Sequence, residues 1–131
     1  VTRLLDEDLQ AEHRLSLAEY DALLQLAEAD GRRLRMSTLA EQVVLSRSGV
    51  TRLIDRLERN GLVSRAACPT DARGAEAVLT DAGLGRLRAA SRTHLEGIDR
   101  HFLSTVDPAD LPVVERSLDR VATLAVASED A

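Results

Sequence analysis

The chain has no lysine and no tryptophan, one cysteine, one methionine, and only Tyr20 and Phe102 as phenyl-ring residues in 131 positions. Each shortage excludes something. Without lysine there is no Schiff-base chemistry and no lysine-dependent phosphate loop; genome base composition is the simpler cause of that absence. A lone Cys68 forms neither an internal disulfide nor a cysteine-cage metal site, and it fits a reducing cytoplasm. Two aromatic rings cannot build a stacking platform for RNA or single-stranded DNA. No apolar run approaches the roughly 20 residues of a bilayer-spanning helix, and no secretory signal pattern opens the sequence. A cytoplasmic protein with no membrane partner is expected. Paired carboxylates, a glycine-rich phosphate loop, a Ser-His-Asp order and a metal cluster are also missing, so no enzyme and no cofactor are expected.

What is present is 44% apolar and 30% charged residues, the composition of one soluble globular domain. The net charge of −5 conceals a segregation. Residues 32–73 hold nine arginines against four acids, a net of +5, and the rest of the chain is strongly acidic. Local potential, not global charge, sets affinity for phosphates.

The helical period dominates the sequence. Leu4, Leu5 and Leu9 suggest a helix over 2–12. Ser16 with Glu19 has the capping-box spacing, and Leu17, Tyr20, Leu24 and Ala27 predict a helix over 17–29, ended by Asp30-Gly31. Residues 33–36 read as irregular. Ser37 or Thr38, the latter with Glu41, is expected to cap a short helix whose inner face is Leu39, Ala40, Val43 and Val44. Ser46 is expected to cap the next.

Residues 47–59 carry the most information. Val50, Leu53, Ile54 and Leu57 share one stripe, whereas Arg47, Ser48, Thr51, Arg52, Asp55, Arg56 and Arg59 lie opposite. Asn60-Gly61 stops the helix, and Leu62 is placed to meet Leu57 in a Schellman motif. Residues 62–67 and 75–79 read as strands around a loop at 68–74 containing Pro, Asp and Gly. Thr80 caps a long helix with Leu84, Leu87, Leu95, Ile98 and Phe102 on one face. Asp107-Pro108 opens the last helix, and Pro112 argues that its regular part begins near Leu111. There, Leu111, Val114, Leu118, Val121 and Ala125 form a heptad seam fit for a second copy. The polar tail 127–131 is expected to fray.

The expected fold is therefore mainly α: a winged helix-turn-helix with a two-stranded β-hairpin wing, flanked by N- and C-terminal helices. An arginine-rich helix face alone is more often merely solvated. Preceded by a short helix, stopped by Asn-Gly and followed by a hairpin with Arg73 near its tip, it reads as a helix for the DNA major groove.

Residues 39–87 resemble the core of the MarR family of winged-helix regulators. The landmarks are Leu39-Ala40, Val50-Thr51-Arg52-Leu53, Asp55-Arg56-Leu57-Glu58, Gly61-Leu62-Val63, Arg65, Asp71-x-Arg73, and Leu79-Thr80 with Gly83. The resemblance implies a single domain over 1–131, with a DNA-binding core at 30–80 and dimerisation helices at 1–29 and 81–126. It implies a homodimeric, ligand-responsive repressor on a palindromic operator of double-stranded DNA. By position, Ser46, Arg47, Ser48, Thr51, Arg52 and Arg56 belong to the DNA-binding surface. Arg73 matches the wing arginine of the minor groove, and Asp71 the acid that holds an arginine in place. Ala72 departs from the family, which often has arginine there, and should weaken the wing contact. Dimerisation falls to Leu4, Leu5, Leu111, Val114, Leu118 and Val121. A small aromatic acid is the expected effector, near His13, Arg14 and Tyr20, although Tyr20 also reads as an ordinary core residue. The alternative is a winged helix used only for protein contacts. Cys68 reads as a small half-buried side chain rather than a redox switch. His94 and His101, two helical turns or about 10.5 Å apart, are too distant to share an ion, so no metal is expected.

Overall fold

Amphipathic helices with well-formed ends account for most of the architecture. In the computed structural model, residues 1–43, 45–68 and 71–130 are described, without the side chains of Arg47, Cys68, Asp71, Ala72, Arg73 and residues 126–130. The expectations on those side chains, and on Val44, lie outside the described residues. The order is α1 (Thr2–His13), α2 (Leu17–Glu28), β1 (Arg33–Arg35), α3 (Met36–Gln42), α4 (Arg47–Arg59), β2 (Val63–Cys68), β3 (Asp71–Leu79), α5 (Asp81–His101) and α6 (Leu111–Asp130). Short 3-10 turns precede β1 and follow α5. The chain is mainly α with an antiparallel sheet in the order β1-β3-β2.

The helix ends follow the sequence at most positions. Ser16 and Glu19 form the expected reciprocal capping box on α2. Ser46 accepts the Gly49 N–H, and Thr80 accepts the Gly83 N–H. At the end of α4, the Gly61 N–H donates to Glu58 and the Leu62 N–H to Leu57, each at 2.9 Å. That is a Schellman closure, and Gly61 takes the left-handed φ of 73° that it requires. Pro112 is the second residue of α6, where it is tolerated.

Five expectations need correction. Residues 33–35 form a strand, not an irregular stretch: Arg33 faces Val78, and Arg35 faces Glu76. Three residues with one apolar side chain are too short to display alternation, so edge pairing with β3 supplies what the pattern lacks. Neither Ser37 nor Thr38 caps α3; the helix starts at Met36 with extended Arg35 before it and no side-chain cap. The hairpin is also longer than expected, because β3 starts at Asp71, paired with Cys68 across a bulge that follows Ala67. The bulge lets the turn-like Asp71 to Gly74 segment join the strand. Leu95 is 64% exposed; the buried stripe of α5 is Gly83, Leu87, Ala90, Thr93 and Gly97. The backbone of α6 is helical to Asp130, past position 127.

One core joins these elements. Leu9, Leu15, Leu23 and Leu26 meet Leu39, Val50, Leu53, Ile54, Leu57, Leu62, Val63 and Leu87. All four inward residues of α4 are at most 1% exposed, which fixes its opposite face toward solvent. Helix α1 packs chiefly on α5. There, a Cβ on Gly97 would lie 3.0 Å from Leu5. Leu5 is buried in this intrachain contact, so of the two N-terminal leucines only Leu4 keeps partial exposure for a second copy. Helix α6 behaves differently. It makes almost no contact with the rest of the chain and leaves Val113, Leu118, Val121 and Leu124 exposed. Among the described residues, no helix is long and apolar enough to cross a membrane.

Candidate nucleic-acid interface

The outer face of α4 is built by what its inner face buries. With Val50, Leu53, Ile54 and Leu57 inward, Ser48, Thr51, Arg52, Arg56 and Arg59 are exposed. Ser46 stands at the N-terminus; its Oγ accepts the Gly49 N–H at 3.1 Å and lies 3.2 Å from Ser48 Oγ. The cap occupies one lone pair of Ser46 and leaves its hydroxyl proton and second lone pair for other partners. Arg47 is the first residue of α4, Asp71 begins β3 and Arg73 follows in the same strand; their side chains are not among those described.

The sequence reading missed the part played by Arg65. From β2 it reaches Asp55 at 2.6 Å, Glu58 at 3.8 Å and the Thr51 carbonyl oxygen at 3.2 Å. This single guanidinium ties β2 to α4 and neutralises both acids of that helix. Arg52 and Arg56 form no ion pair among the described residues. The result is a hydroxyl and arginine row whose competing carboxylates are drawn toward the wing. Other arginines of the basic island are structural: Arg33 pairs with Glu76 across the sheet, and Arg32 lies 3.5 Å from Asp81. Spacing alone does not reveal which cations are engaged, since the partners are distant in sequence.

The three expected effector residues do not converge. Tyr20 lines a pocket of about 600 Å³ with Leu5, Leu17, Leu24, Val43 and His94. Its ring packs against His94 at a tilt of 39°, with centroids 4.6 Å apart, and its hydroxyl lies 3.2 Å from Ser91 Oγ. Arg14 lines a different pocket, with Arg56 and Arg59. His13 serves as a link between α1 and α5: its Nε2 is 2.7 Å from Thr93 Oγ1, which donates to Glu12. Because that hydroxyl proton goes to Glu12, His13 must donate from Nε2. His101 makes a separate α5–α1 link, 2.9 Å from Asp8. The three histidines thus go to three different places. His94, which the sequence presents only as a candidate metal ligand, has a buried Nδ1 with no hydrogen-bond partner among the described residues. Burial lowers its pKa below the ordinary 6.5, which keeps the ring neutral at pH 7.

A short helix, a capped amphipathic helix with a polar outer row, and an antiparallel hairpin clamped to it define a winged helix-turn-helix protein. The sequence profile of the MarR family matches residues 14–74. The regulator MhqR of Bacillus subtilis is 28% identical over 109 residues, spanning 83% of this chain and 73% of that protein. AbsC of Streptomyces coelicolor, a MarR family transcriptional regulator, superposes with a TM-score of 0.82 at 36% identity, over 96% of this chain and 84% of that one. Sco3205 of the same organism, a MarR family regulator solved in complex with DNA, gives 0.83 at 34% identity, over 92% and 76%. The chain belongs to the MarR family of transcriptional regulators.

Proposed function

We propose that this chain is a homodimeric, sequence-specific regulator that binds a palindromic operator in double-stranded DNA in the cytoplasm, acting as a repressor by occupying a promoter. The observation that carries the reading is the Arg65 clamp. It gathers Asp55 and Glu58 to one side of α4 and leaves Ser48, Thr51, Arg52 and Arg56 outward. Arginine can bridge guanine O6 and N7, and hydroxyls reach bases or phosphates. Arg47 at the start of the helix, with Asp71 and Arg73 on the wing, extends this surface. The DNA complex of Sco3205 supports the same use of the fold.

The dimer rests on α6, whose Leu118 and Val121 are exposed and whose Leu111 and Val114 are half-buried beside Phe102 and Leu103. Two copies related by a two-fold axis would present their α4 helices to half-sites about 10 bp apart or a multiple of that. An effector that changes the separation of these helices would relieve repression. The Tyr20–His94 pocket suits an aromatic ring. Asp21 is the charged group lining it, so an acid gains no cationic partner there.

Selection of bound duplexes from random DNA with the purified protein tests this reading. Enrichment of a two-fold symmetric sequence is expected. Recovery of no sequence preference, with binding that ignores salt, would favour a winged helix used for protein contacts.

A further inference from the structure

One hydroxyl joins the end of α4 to the start of α5. Thr80 is the N-cap of α5, and its Oγ1 accepts the Gly83 N–H at 3.0 Å. The same oxygen donates its proton to the Gly61 carbonyl oxygen at 2.7 Å, at the residue that closes α4. The Thr80 N–H adds a third bond, to the Leu62 carbonyl oxygen at 3.1 Å. That carbonyl lies so close to the first turn of α5 that a Cβ on Gly83 would stand 2.0 Å from it. The two helix ends are thus seated directly on one another, although Thr80 and Gly61 are 19 positions apart.

A cap does not need this arrangement. Capping uses a lone pair, which serine, aspartate and asparagine supply as well as threonine does. The proton of Thr80 is not required for it, and goes to α4 instead. Elsewhere α4 and α5 scarcely touch: α4 packs chiefly on α3, α2 and β2, and α5 on α1 and α2. Helix α2 therefore links them through apolar side chains, whose attraction is non-directional and tolerates sliding. A hydrogen bond fixes direction as well as distance.

We propose that Thr80 is a positioning residue for DNA binding: its bridging hydroxyl sets the angle between α4 and α5, and so the separation of the two α4 helices in the dimer. The inference rests on the two-fold operator reading above and deepens it. Helix α5 runs 21 residues, about 31 Å, from this joint to the end that leads to α6. A tilt of about 6° at the joint displaces one end against the other by about 3 Å over that length, close to the rise of one base pair. With the bridge in place, the half-sites must lie at one spacing. Without it, α4 follows half-sites that are shifted.

Three substitutions separate the bridge from the cap. Thr80→Ser keeps both donor and acceptor. Thr80→Asp keeps the cap acceptor, but an ionised carboxylate has no proton for Gly61. Thr80→Val keeps the shape and loses both. Each protein is titrated at equilibrium against the selected duplex and against versions with the half-sites moved by one or two base pairs. The wild type and Thr80→Ser should bind the original spacing roughly tenfold or more tighter than the altered ones. In Thr80→Asp and Thr80→Val that ratio should fall to about threefold or less, with base preference inside each half-site unchanged. A uniform loss of affinity, including one from the added aspartate charge, leaves the ratio untouched. A Thr80 that only caps α5 predicts a lower urea midpoint in Thr80→Val and the wild-type ratio in Thr80→Asp, and that result overturns the proposal. So does a loss of the ratio in Thr80→Ser, or a loss of base preference in Thr80→Asp. If Thr80→Val does not fold, Thr80→Asp carries the test. A wild type with no spacing preference refutes the two-fold operator reading, and the proposal with it. That reading is thus judged on the wild type alone, and the role of Thr80 on the variants.

Discussion

At the scale of single residues, the sharpest constraint is Gly83. A Cβ there would stand 2.0 Å from the Leu62 carbonyl oxygen, where the end of the α4 closure meets the start of α5. Thr80 binds the same segment, donating to the Gly61 carbonyl oxygen at 2.7 Å and accepting from Gly83. Backbone cannot yield as a flexible side chain would. Gly83→Ala should therefore destabilise the fold by roughly 2–3 kcal/mol despite the better helix propensity of alanine, a loss visible as a lower urea midpoint. His94 gives a pH signature. Its folded pKa lies below 6.5, so in acid the unfolded chain takes up a proton that the native ring refuses. Its contribution to stability is constant above neutrality and is lost as pH falls through and below 6.5. Urea midpoints measured from about pH 7.5 down to about pH 5 should fall more steeply for the wild type than for His94→Phe. Parallel curves would refute a neutral, partly buried His94. Neither residue's situation was fully legible beforehand. Gly83 stood out as a family landmark, but its reason is a contact with a residue 21 positions earlier. His94 reads in the sequence only as a candidate metal ligand.

At the scale of elements, whatever is local was readable and whatever needs a distant partner was not. The stripe Val50, Leu53, Ile54 and Leu57, the Ser16, Ser46 and Thr80 caps and the Gly61 stop depend on neighbours within a turn or two, and all were legible. Strand β1 and the extra length of β3 exist through pairing across some forty residues or around a bulge. The clamp between the wing and α4 belongs to the same class. Arg65→Gln should release Asp55 and Glu58 onto the recognition face and lower duplex affinity roughly three- to tenfold at low salt, through like-charge repulsion of phosphates. The pairs are partly exposed, with side-chain exposures of 32% and 44% for Arg65 and Asp55, so the stability loss should stay within about 1 kcal/mol. Adding Asp55→Asn should recover part of the lost affinity in a double-mutant cycle. An Arg65→Gln protein that binds DNA as tightly as the wild type would show that the clamp only supports the wing.

At the scale of the whole molecule, the chain divides into a core that buries its apolar residues and an α6 that does not. The heptad spacing of Leu111, Val114, Leu118 and Val121 was legible because it repeats locally. That α6 stands away from its own chain was not, since periodicity does not say which surface covers a seam. Leu118 is 56% exposed in the single chain, so Leu118→Glu costs little within one subunit but would bury an unpaired charge in a dimer. The variant should remain helical, sediment as a monomer and lose operator binding. A dimeric, fully active Leu118→Glu protein would place the interface elsewhere.

The most direct test of DNA recognition through α4 is an equilibrium titration of the selected duplex over a series of salt concentrations, with wild type and Arg52→Ala side by side. The account predicts that log K falls linearly with log salt, and that Arg52→Ala loses about 1–3 kcal/mol if it reads a guanine, with preference relaxed at one base pair of each half-site. If Arg52 instead holds a phosphate, the variant binds all sequences more weakly and its salt slope is shallower by about one. Unchanged affinity, preference and slope in Arg52→Ala, at low and moderate salt alike, would contradict the placement of α4 in the groove.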